Sequence, residues 1–228
     1  MVNAFANPEE RMLLNMSTNT DLLGNPDIRS LDQEFNLLLL EDEQLVLDKT
    51  YQSTDGYIQT DATPKRGSTY ELILEGEGFD VVTTKDKMPA QDPVFEVINF
   101  YPIGNQTHLD LLMFDHSETE YYMLYMYLNS FDLEWSDTVW YSRPLDFSSS
   151  DKIFFSNINT IRANTHFALF DDQLLSGGDR EIRIVIQQDA LESRSGFEVS
   201  HFSVVLKSLS KTYFDYYIGL LENNHIYG

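Results

Sequence analysis

Hydrophobic and polar residues alternate with a period of two along much of this chain, the spacing of strands that bury one face. The clearest stretch is Gly67 to Thr84. Tyr70, Leu72 and Leu74 alternate with Thr69, Glu71, Ile73 and Glu75, Gly76-Glu77-Gly78 makes a turn, and Phe79, Val81 and Thr83 resume the pattern. Upstream, Arg11 to Ser17 predicts a strand with Met12, Leu14 and Met16 on one face. Phe35 to Leu40, the acidic turn Glu41-Asp42-Glu43 and Leu45 to Leu47 predict a hairpin. Gly56 to Asp61 predicts a further short strand before the turn Pro64-Lys65-Arg66-Gly67. So many short strands predict an immunoglobulin-like β-sandwich over residues 1–89. Lys87 to Pro93 then breaks the period with Pro89 and Pro93, and the domain boundary is placed there.

Residues 90–228 predict a second β-sandwich-like domain. Val94 to Tyr101, Leu109 to Phe114, Phe167 to Phe170, Arg180 to Gln187 and His201 to Leu206 read as strands. Glu120 to Leu128, EYYMLYMYL, is apolar on both faces, as a central strand covered on each side would be. The period changes only at the end. Ser210 can cap a helix in which Phe214, Ile218 and Leu221 form an apolar stripe widened by Tyr213, Tyr217 and Leu220. The fold class predicted is therefore all-β: two sandwiches, with a short C-terminal amphipathic helix packed on the second.

Composition narrows the functions available. Lys and Arg number 15 against 37 Asp and Glu, a formal charge of −22. Such a surface repels phosphate, so nucleic acid is excluded as a partner, and anionic membrane surfaces are disfavoured. With no cysteine in the chain, disulfides, thiolate catalysis and Cys-ligated metal sites are ruled out. No stretch approaches the length of a membrane span, and the first residues, MVNAFANPEERMLLNMS, lack the basic-then-apolar order of a signal peptide.

Local catalytic signatures are missing: there is no GxSxG elbow, HExxH helix, Walker loop, GxGxxG or EF-hand loop. His108, His116, His166, His201 and His225 are each isolated along the sequence, and no catalytic residue is assigned. Phe170 to Asp179 sets Asp171, Asp172 and Asp179 around a Gly-Gly turn and offers oxygen ligands to calcium, although its spacing matches no standard calcium loop. Hairpin turn chemistry explains the same residues. Trp135, Trp140 and Tyr141 fall in one polar-interrupted segment, LEWSDTVWYSRP. They suit either core packing or a surface that stacks on sugar rings or fills peptide pockets, which makes glycan or peptide the candidate ligand.

Five segments in order, VNAFANPEERMLLNMS, GYIQTDATPKRGSTYELILEGEGFDVVTTKDKMP, HSETEYYMLYMYL, FDDQLLSGG and VVLKSLSKTYFDYY, carry a family resemblance. Together they resemble the Bacteroidetes lipoproteins grouped as domain of unknown function 4249. The landmarks are Gly67, Tyr70, Met88 and Pro89, then Tyr121 and Tyr122, then Phe170, Asp171 and Asp172, and finally Tyr213 to Tyr217. The resemblance implies export and attachment to the cell envelope, commonly the outer membrane, through a lipid-modified cysteine ahead of the present start. Any membrane contact would run through that anchor alone, which this chain does not carry. It also implies a TonB-dependent outer-membrane transporter, or another envelope protein, as a partner.

The function expected is accordingly that of a non-enzymatic extracellular binding or accessory module without a cofactor. An adhesin or pilus-like subunit is the alternative, and a glycan hydrolase built from scattered carboxylates comes third. A hydrolase would need two carboxylates facing each other across a cleft.

Overall fold

The computed structural model describes residues 2–5, 10–19, 28–30, 33–54, 56–78, 80–114, 120–132, 140–151, 153–154, 166–172, 178–192 and 197–223. The chain divides into two compact units, Met1–Gln91 and Asp92–Gly228. Among the described residues almost all regular structure is antiparallel β, with one α-helix toward the C-terminal end.

In the first unit, β1 (Val2–Phe5), β2 (Leu13–Asn19) and β3 (Ile28–Ser30) form one sheet. A second contains β4 (Glu34–Glu41) and β5 (Gln44–Gln52). The short β6 (Tyr57–Gln59) returns to β2, while β7 (Thr69–Gly76) and β8 (Val82–Lys87) complete the second sheet in the order β5-β4-β7-β8. The period-two pattern has its physical cause in the core. Phe35, Leu37 and Leu39 of β4 and Tyr70, Leu72 and Leu74 of β7 are buried together against Met12, Leu14 and Ile58. Each residue skipped in the alternation points away from that core.

The hairpin between β4 and β5 turns through Asp42 and Glu43, with φ of 49° and 68°. Two consecutive positive values define the turn whose twist matches a hairpin, and side chains other than Gly and Asn adopt it at a cost. The Asp42 carboxylate accepts the Thr69 N–H at 2.9 Å. Glu41 accepts from Lys65 Nζ and from Ser68 Oγ, both at 3.0 Å, tying the turn to the start of β7.

One register differs from the alternation expected of Gly67 to Thr84. On β8 it is Val82, opposite Leu74, that packs against the core, whereas Val81 is exposed. Counting straight through the turn therefore gives the wrong face. Phe79 lies outside the described residues.

The second unit encloses its own core between a three-stranded and a four-stranded sheet. The first pairs β9 (Phe95–Ile103), β10 (Gln106–Met113) and β14 (Arg180–Gln187) in the order β14-β10-β9. The other is organised around the long β11 (Tyr121–Asp132). Along one edge of β11, β13 (Phe167–Asp171) pairs Tyr121 to Tyr125 and β12 (Trp140–Pro144) pairs Tyr127 to Phe131. Along the other edge, β15 (Phe197–Leu209) pairs it from Tyr121 to Asp132. The expected central strand is thus central in fact, and its two faces differ. Tyr122, Leu124, Met126 and Leu128 point into the core with Leu109, Leu111, Ile184 and Ile186. The intervening residues point to the outer face.

The helix α1 (Lys211–Asn223) lies on that outer face. Ser210 caps it through a Tyr213 N–H to Ser210 Oγ hydrogen bond of 3.2 Å, as its residue type predicts. Phe214 is buried against Tyr121, ring centroids 4.9 Å apart, and Tyr217 meets Phe167 edge-on at 5.7 Å.

Candidate functional site

The outer face of the β11 sheet carries a cleft beside α1, with a volume of about 390 Å³. Residues directly opposite in an antiparallel pair share a face. Tyr125 stands opposite Phe167 and Val205, Tyr127 opposite Pro144 and Ser203, and Met123 opposite Lys207. The helix supplies Tyr213 and Tyr217, one turn apart on the side toward the sheet. His166 closes the rim, its Nδ1 2.8 Å from Asp146 Oδ1.

Aromatic walls and hydrogen-bond donors define this cleft, and no carboxylate is among the described residues that line it. Lys207 Nζ lies 5.3 Å from the Tyr125 ring centroid and makes no ion pair among the described residues. By contrast, Arg180, Arg183 and Lys211 of the same unit each hold an aspartate. Tyr213 donates to Tyr217 Oη at 3.2 Å, leaving the Tyr217 proton free to point elsewhere. Burial pushes the Tyr213 phenol well above its ordinary value, reinforced by its bond to Tyr217, and burial raises Tyr125 despite the opposing effect of Lys207. Both phenols are therefore neutral donors at physiological pH.

Continuing along the same face, Asn129 bridges two strands. Its Nδ2 donates to Ser203 Oγ at 2.8 Å, and its Oδ1 accepts from Ser142 Oγ at 2.6 Å. Beyond this polar row, Phe131 meets Trp140 edge-on at 6.1 Å, and Trp140 lies 6.2 Å from His201. The face thus runs from tyrosine cleft, through an amide and two hydroxyls, to a tryptophan that is 58% exposed.

The sequence candidates fall in different places. Trp140 belongs to this outer face. Tyr141, its neighbour on β12, points to the opposite side, where it contacts Phe197 with ring centroids 5.8 Å apart. Strand alternation therefore separates two residues that are adjacent in sequence, and Trp135 lies outside the described residues. Asp171 and Asp172 are buried, whereas Asp179 is exposed. The Asp172 carboxylate accepts the Glu120 N–H at 2.9 Å, a contact that fastens the end of β13 to β11. Among the described residues no three His, Asp or Glu side chains are grouped to hold a metal ion.

Of the histidines, His201 has Nδ1 3.0 Å from Ser200 Oγ in an exposed pair, with no carboxylate on the imidazole among the described residues. His116 and His225 lie outside the described residues. Sequence alone does not single out Tyr125, Tyr127, Tyr213, Tyr217 and Lys207, because each fits a core strand or a helix stripe. The signal available is the pattern in EYYMLYMYL, where Tyr125 and Tyr127 share the face opposite Leu124, Met126 and Leu128.

The chain belongs to the family described as domain of unknown function DUF4249, whose model matches residues 1–226. No curated protein matches it. Among the described residues no helix is long and apolar enough to cross a membrane.

Proposed function

We propose that this protein is a non-enzymatic binding module of the cell envelope that captures a small ligand on the outer face of its second unit. The observation that carries the reading is the cleft under α1, an aromatic-walled concavity with several donors and no carboxylate among its described lining residues, on a strongly acidic protein. Sites of this size with aromatic walls and a few placed polar groups are typical of ligand binding. Attachment as a lipoprotein, beside an outer-membrane transporter or another envelope protein, is supported by the family resemblance.

A ligand-observed NMR screen of small metabolites and glycans against the whole chain tests the binding reading. Hits that disappear in Tyr217→Ala support it, and a screen whose hits are indifferent to that change refutes it. Fractionation of cells making the protein with its natural leader tests the location, and recovery from the cytosol alone refutes the envelope assignment.

A second reading, a self-pairing structural subunit, is favoured by β9. It pairs only with β10 among the described residues and exposes Val97, Ile98, Phe100 and Ile103. A long apolar edge is a template for adding a strand from another copy. Sedimentation of the purified protein decides it: a monomer at all concentrations refutes this reading.

A further inference from the structure

We infer that the ligand is a short oligosaccharide bearing a carboxylate at one end, laid along β11 with the acidic ring beside Lys207 and the far ring against Trp140. The inference rests on the binding reading above and adds the chemistry of the ligand. Three observations on one sheet face carry it.

The first is the length and order of the face. Tyr127, Asn129 and Phe131 alternate outward, and Ser142 and Trp140 stand opposite the last two. From Tyr127 to Phe131 the strand rise gives about 13 Å. An aromatic residue therefore stands at each end of an amide-and-hydroxyl row. Sugars present this same alternation, since the C–H faces of a pyranose carry slight positive charge and pack on the negative face of an aromatic ring, while ring hydroxyls reach polar groups between. A peptide strand would seek an open backbone edge instead. This face offers side chains, because β11 is already paired on both edges.

The second observation is the distribution of charge along the face. Lys207 stands opposite Met123 at the helix end, and the exposed Glu198 stands opposite Phe131 at the other. Across the stretch Met123 to Phe131, about 26 Å at strand rise, the face passes from Lys207, where the rim carboxylate of Asp146 is engaged by His166, to Glu198. A ligand with one carboxylate is oriented by this difference, acid toward Lys207.

The third is the state of the polar groups at the Lys207 end. The ammonium has no carboxylate partner among the described residues, whereas His166 at the rim already engages Asp146 through Nδ1. A carboxylate placed there receives charge-assisted hydrogen bonds in a setting already flanked by tyrosine rings.

The test is calorimetric titration of the whole chain with two pentasaccharides of the same linkage, one ending in glucuronate and the other in glucose, and with free glucuronate. The acidic pentasaccharide is expected to bind at least about tenfold more tightly than the neutral one. Lys207→Gln is expected to erase that difference, and Trp140→Ala to weaken the pentasaccharide while sparing free glucuronate. Equal binding of the two pentasaccharides, lost in Tyr217→Ala, overturns the assigned acid and leaves a sugar-binding cleft. Failure of all three sugars, alongside Tyr217-dependent hits of another class in the metabolite screen, overturns the oligosaccharide and leaves the binding module. Melting curves of each variant that superimpose on the parent's establish that the losses are not unfolding.

Discussion

Arg183 reaches across from β14 to Asp110 on β10, donating from Nε to Asp110 Oδ1 at 2.6 Å, while Asn99 Nδ2 approaches the other carboxylate oxygen at 3.3 Å. The carboxylate is 1% exposed although its strand position faces away from the core, because the guanidinium covers it. The hydrogen bond from Arg183 is the main cause holding the Asp110 carboxyl below its ordinary value, against the opposing effect of burial. A depressed folded-state value means that the unfolded chain takes up the proton first. The stabilisation is thus fully present above the unfolded value near pH 4 and is lost as pH falls through the folded one. Asp110→Asn is expected to lower the melting temperature at pH 7, with the gap closing as pH is taken from about 4 toward about 2. Melting curves across that range check it, and a gap independent of pH contradicts the assignment.

The turn at Asp42 and Glu43 places two side chains in the left-handed region, and only one of them is compensated. Asp42 uses its carboxylate to hold Thr69. Glu43 is exposed. Glu43→Gly is expected to stabilise the first unit by about 1 kcal/mol, because glycine enters the left-handed region without penalty. Denaturant unfolding measures the change, and Asp42→Gly serves as the contrast, since it forfeits the hydrogen bond to Thr69.

Separate cores predict separable responses. Leu39 is fully buried in the first core and Met126 in the second. Leu39→Ala is expected to cost the first unit about 2–5 kcal/mol through lost burial and the cavity left behind. Amide exchange provides the readout: the amides of β4 and β7 lose protection while those of β10 and β11 retain theirs. Met126→Ala is expected to give the reverse.

Helix α1 roofs the cleft, and its first turn depends on Ser210. Ser210→Ala is expected to destabilise that turn by about 1 kcal/mol, the usual loss for an N-cap hydroxyl. The Tyr213 and Phe214 amides exchange faster in consequence, and affinity for any cleft ligand falls with them because Tyr213 and Tyr217 are presented by the same helix. Ser210→Asp restores both, since a carboxylate accepts the same N–H and suits the helix N-terminus.

How much of this is legible in the sequence follows from what each residue depends on. The all-β class, the Tyr70-Leu72-Leu74 face and the cap at Ser210 rest on local spacing, and all three are present in the structure. The face of β8 escapes a local reading because a turn can change the parity of the strand that follows, and no nearby residue records the change. The grouping of Trp140 with Tyr141 fails for a related reason, as neighbours on a strand point apart. The tyrosine cleft lies out of reach because it is assembled from β11, β12, β13, β15 and α1. Only the pairing of those elements brings Tyr125, Lys207 and Tyr217 together.

The pairing of β11 with β15 has a consequence for the order in which the molecule can be made. All the described strands of the first unit lie within Val2–Lys87, whereas Tyr121–Asp132 waits for Phe197–Leu209 to zip along its second edge. A chain that emerges N-terminus first, from the ribosome or from a membrane translocon, can therefore close its first unit early while the second still displays an open, tyrosine-rich ladder. Contacts so distant in sequence form slowly, and the waiting edge is the place where a holding chaperone or an aggregate would take hold.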